Sequence, residues 1–124
     1  MNKRKLGLKL ERKIEKILNE KGYFTHRARQ SYFKSGRKIY SISNDIFGQF
    51  DIIAKKKNKP TLWIQISTGY RKTEKLNKLK LLPDIFNDFD LVILILKIKN
   101  KLKYYIYSDS EYIEFSEQEF YELI

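Results

Sequence analysis

The 124-residue chain carries 26 Lys and Arg against 15 Asp and Glu, a formal charge of +11, with no cysteine and a single histidine, His26. That length supports one domain around one core, and the lack of thiols excludes a disulfide framework and a thiolate zinc site. One imidazole cannot build a His-rich metal centre, so any metal here is expected on oxygen ligands, as Mg²⁺ or Mn²⁺.

Over residues 6–21, Leu6, Leu10, Ile14, Ile17 and Leu18 fall on one helical stripe, and Gly22 follows as a terminating residue. Glu11 lies at the rim of that stripe, Glu15 further toward solvent, and Arg12 faces outward. A strand is expected over residues 23–31, a turn at Ser35 and Gly36, and a second strand over residues 38–43. Two short Ile-rich runs, Phe50-Asp51-Ile52-Ile53-Ala54 and residues 62–68, flank a basic turn at 56–60 and read as a hairpin. Residues 73–82 form a short basic helix stopped by Pro83, and residues 91–98 a buried strand. The apolar run within that strand is too short to span a bilayer, and the basic start of the chain has no apolar stretch of signal-peptide length. Residues 102–107 pair back across a turn at 99–101, and Ser116 with Glu119 forms a capping box for a last helix. The expectation is one cytoplasmic α/β domain over residues 1–124, with a central mixed sheet flanked by helices.

The hairpin carries the polar residues of interest. Side chains two apart share a strand face, so Trp63, Gln65 and Ser67 point the same way, and Asp51 on the paired strand can sit beside them. Burying such groups unbonded costs roughly 1–3 kcal/mol each, so their convergence implies a site that is partly open or binds something. A solvated strand face accounts for the same residues. Charge is segregated: residues 1–80 hold 22 Lys and Arg against 6 Asp and Glu, whereas residues 81–124 hold 4 against 9. A concentrated positive field with interleaved aromatics suits a polyanion, because each neutralised phosphate releases counterions. Nucleic acid is the expected partner; a Lys-rich solvated surface is the plainer alternative. The five glycines stand singly and form no phosphate loop.

Gly7-x-x-x-Glu11-Arg12 on the first helix, Gly22 at its end, then Arg27, Ser31 and Phe50-Asp51-Ile52-Ile53-Ala54 together resemble the archaeal-type Holliday junction resolvases, a branch of the PD-(D/E)xK nuclease superfamily. The resemblance covers residues 6–70. It implies a restriction-endonuclease-like fold and a Mg²⁺- or Mn²⁺-dependent endonuclease acting on DNA, with branched DNA a candidate substrate. It also implies that the metal is held by a helix Glu, a strand Asp and the Glu of an E-x-K, whose Lys assists the attacking water. By position these roles fall on Glu11, Asp51, Gln65 and Ser67, with Glu11, Asp51 and Gln65 as the metal ligands. Arg12 and Arg27 become phosphate contacts, Arg29 and Lys55 extend the basic face, and Arg71, Lys72 or Lys75 is a downstream cation able to reach back.

Two departures stand out. An insertion before Asp51 brings a further carboxylate, Asp45, and Gln-x-Ser replaces E-x-K. An amide oxygen can ligate Mg²⁺ but brings no charge, and a serine supplies no cation. The alternatives to an endonuclease are a catalytically degenerate DNA-binding protein and a small RNA-binding or assembly module. Branched-DNA specificity calls for two sites, hence a homodimer, and the strands at residues 91–98 and 104–107 could supply its interface, with Tyr104, Tyr105 and Tyr107 serving either the core or that interface.

Overall fold

A computed structural model of the chain describes residues 3–44, 46, 47, 49–69 and 71–124, with the backbone alone described for 3–5, 29–35 and 38–44. In chain order the elements are α1 (Lys3–Glu20), β1 (Phe24–Arg27), β2 (Arg29–Ser35), β3 (Lys38–Asn44), β4 (Ile52–Lys55) and β5 (Leu62–Thr68). They continue as α2 (Lys72–Lys80), β6 (Leu91–Ile98), β7 (Lys101–Ser108), β8 (Glu111–Phe115) and α3 (Glu117–Leu123). The result is a small α/β domain with three helices and a six-stranded mixed sheet, ordered β1-β4-β5-β6-β7-β8. Only β5 and β6 run parallel, and α2 lies in the crossover that such a pair requires. β2 and β3 form a separate two-stranded ribbon.

Alternation along the strands divides the core in two. On one face Leu10, Ile14 and Leu18 of α1 pack with Ile52, Ile64, Ile66, Ile93 and Ile95, joined by Phe120 of α3. On the other, Leu79 of α2 packs with Phe50, Val92, Leu94, Leu96, Tyr105 and Tyr112. β6 feeds both faces and is buried at every position from Val92 to Leu96, as expected of a strand covered by helices on both sides. It lies inside the sheet between β5 and β7, and Tyr104 and Tyr105 of β7 are buried as well. Val92–Leu96, Tyr104 and Tyr105 thus serve the core, and the sheet edges are β1 and β8.

Helix ends follow local chemistry. α1 stops where Gly22 takes φ 92°, and Lys56 of the basic turn donates its Nζ to the Lys21 carbonyl at 2.6 Å. At α3, Ser116 Oγ accepts from Glu119 N at 3.0 Å while Glu119 Oε1 accepts from Ser116 N at 3.1 Å, the expected capping box. The single strand expected over residues 23–31 divides at Ala28, whose N–H donates to the Asp51 carbonyl at 2.8 Å, so β1 stays in the sheet and β2 departs from it. Among the described residues no helix is long and apolar enough to cross a membrane.

Candidate functional site

Asp51 sits where the chain enters β4. Its N–H donates to the Ile64 carbonyl at 2.8 Å, although Ile52 is the residue registered opposite Ile64. Two successive residues thus address one, the arrangement of a β-bulge. The bulge explains why Phe50 is buried on the α2 face while Ile52 is buried on the α1 face. Past Ile64, β5 has no registered residue of β4 beside it. There the Asp51 side chain substitutes for a strand carbonyl: its Oδ2 accepts from Ile66 N at 2.7 Å.

Gln65 and Ser67 share one face, as expected, and that face is the α2 side, in register with Leu94 and Leu96. The expected openness is corrected, because Gln65 is 0% exposed and Ser67 8%. The hydroxyl of Tyr112 donates to Gln65 Oε1. Burial raises the Tyr112 phenol well above its ordinary pKa, with Tyr107 adding to the effect, which keeps the group a proton donor. Trp63, on the same face, packs among Phe47, Phe50 and Phe86 at centroid distances of 5.8, 5.4 and 5.3 Å. It is partly buried and packs against the core on that face. Gln65 Nε2 and Trp63 Nε1 are buried here without a hydrogen-bond partner among the described residues.

Glu11 is half-buried on α1, at the stripe rim as expected, but α1 covers the opposite face of the sheet from Gln65. The sheet thus separates the helix of Glu11 from the Gln65 side chain. Asp45 lies outside the described residues. Of the expected Mg²⁺ or Mn²⁺ ligands, Glu11 stands on the helix across the sheet from Gln65. The Gln65 oxygen accepts from a buried phenol, the Asp51 carboxylate serves a backbone N–H, and among the described residues no group of three or more His, Cys, Asp or Glu could hold a metal ion. Ser67, nearly buried, brings no charge to assist a nucleophile.

The expected phosphate contacts are spread over several elements. Arg12 is exposed on α1 and Lys55 is exposed at the end of β4. Arg27 Nε lies 3.8 Å from Glu15 Oε1, a partly exposed pair worth at most about 1 kcal/mol, so its charge is shared with an acid on α1. Lys72 opens α2 and holds its ammonium 5.2 Å from the Tyr105 ring centroid. Arg29 opens β2 opposite Asn44, its side chain outside the described residues. The β2–β3 ribbon has four cationic residues, Arg29, Lys34, Arg37 and Lys38, and no acidic one over residues 29–44. Its tip turns at Gly36, with φ 63°, where Gly36 and Arg37 are exposed.

The partner of Gln65 was not anticipated, because no element was expected between residue 107 and Ser116. Compared with known proteins, the chain matches no family model and no curated protein.

Proposed function

We propose that this chain is a nucleic-acid-binding protein on a restriction-endonuclease-like domain, with duplex DNA as the favoured ligand, in which the positions of the nuclease metal site serve packing instead of cleavage. The observation that carries this is the complete burial of Gln65 with its carbonyl bonded to Tyr112. Turning that oxygen toward a metal would break a buried hydrogen bond and open an aromatic layer. Binding is supported by the excess of cations over residues 1–80 and by the all-cationic ribbon. A two-stranded antiparallel ribbon is an element that the major groove admits, and exposed lysines and arginines around it would track phosphates. The test is incubation of the chain with linear, flapped and four-way DNA in Mg²⁺ and in Mn²⁺. Stable complexes with uncut strands are expected; cleavage that disappears in Asp51→Asn would return the protein to the metal-dependent endonucleases.

A further inference from the structure

We infer that a cleft between α1 and the β6–β7 hairpin binds a phosphate-bearing ligand of about one nucleotide in size. One wall is a single flank of α1, carrying Leu6, Lys9, Leu10 and Lys13 at helical spacing. The other wall is Lys97, Asn100 and Leu102, where Lys97 and Leu102 are cross-strand partners at the end of the hairpin. None of the residues lining the cleft is acidic. Lys97 is half-buried there, and among the described residues none of the three lysines has an ion-pair partner.

Three lysines line the cleft with no acid among its lining residues, and a phosphate would accept charge-assisted hydrogen bonds from them. Asn100 adds an amide, and the leucines give an apolar floor suited to a sugar or base. The cleft measures about 260 Å³. That is below the roughly 300–1,000 Å³ of sites for larger organic ligands, which favours one phosphate with its attached sugar over an extended cofactor. The site is separate from Asp51 and Gln65 and extends the function proposed above. Its phosphate would come either from a free mononucleotide or from an unpaired stretch of a nucleic-acid strand.

The test is an amide NMR titration of the full chain with adenosine monophosphate and, separately, with a short oligothymidylate. It uses the wild type, Lys13→Gln/Lys97→Gln, and a control of equal charge loss elsewhere, Lys57→Gln/Lys59→Gln. Expected are shifts at residues 6–13 and 97–102, with affinity weakened about tenfold per lysine in the cleft variant and by less than about twofold in the control. Saturation by the mononucleotide assigns a free ligand, and saturation by the oligomer alone assigns a strand. Absence of shifts at those amides with both ligands, or equal weakening in the control, overturns the inference. Duplex affinity is measured separately, so its failure counts against the proposed function and not against the cleft.

Discussion

The hydroxyl of Tyr112 on β8 donates to the side-chain carbonyl of Gln65 on β5, a contact made over the two intervening strands β6 and β7. It fastens the far edge of the sheet to the middle of β5.

Tyr112→Phe should destabilise the protein by about 1–3 kcal/mol, because it leaves both ends of a fully buried amide unbonded. Gln65→Leu combined with Tyr112→Phe should recover much of that loss, since both partners are then apolar. Gln65→Glu alone should be worse, as it places a carboxylate in the aromatic layer. Urea denaturation of the four chains orders them, and a wild-type midpoint for Tyr112→Phe would show that the bond contributes nothing.

Stability should fall in strong alkali. Burial raises Tyr104 and Tyr112 above the ordinary phenol value of 10.0, with Glu117 and Tyr121 adding to the first and Tyr107 to the second. A phenol with a raised folded pKa contributes stability that is complete below its unfolded pKa and is lost as pH rises through the folded one. The decline should therefore begin near about pH 10. Thermal midpoints at pH 9 and pH 11 check this, and Tyr112→Phe should show a shallower drop between them.

Asp51 should separate shape from charge. Asn at position 51 retains an oxygen able to accept from Ile66 N, whereas Ala removes it and orphans that N–H, a loss of about 1–3 kcal/mol. Asp51→Asn is thus expected to fold better than Asp51→Ala and to bind duplex DNA much like the wild type. Loss of DNA binding in Asp51→Asn with the fold retained would show that the carboxylate acts at the interface.

The ribbon tip should read out directly in salt dependence. If Arg37 and Lys38 each neutralise one phosphate, Arg37→Ala/Lys38→Ala should weaken duplex binding and flatten the log–log salt slope by about 0.9 per residue. An unchanged slope would remove the ribbon from the interface.

The apolar periodicity of α1, the Ile-rich runs at β4 and β5, the unbroken apolar run of β6 and the Ser116–Glu119 capping box were all legible, because each element repeats its own local pattern. The shared face of Gln65 and Ser67 followed from strand alternation for the same reason. What lay on that face did not, since closure depends on Tyr112 from a strand more than forty residues later and on Trp63 finding three phenylalanines. The bulge at Asp51 was likewise hidden, because it arises from where β1 and β5 meet β4 and not from the residues of β4 alone. That Lys56 of the basic turn caps α1 was hidden too, since it is set by the tertiary position of a helix end.

The most direct test of the central claim is the affinity of the full chain for a fluorescent duplex across a salt series, with the strands recovered and sized after each point in Mg²⁺. The expected result is tight binding at low salt, a steep negative log–log slope of about −0.9 per phosphate neutralised, and intact strands throughout. Binding that is absent at low salt or indifferent to salt would contradict a nucleic-acid-binding role, and shortened strands would contradict a metal site given over to packing.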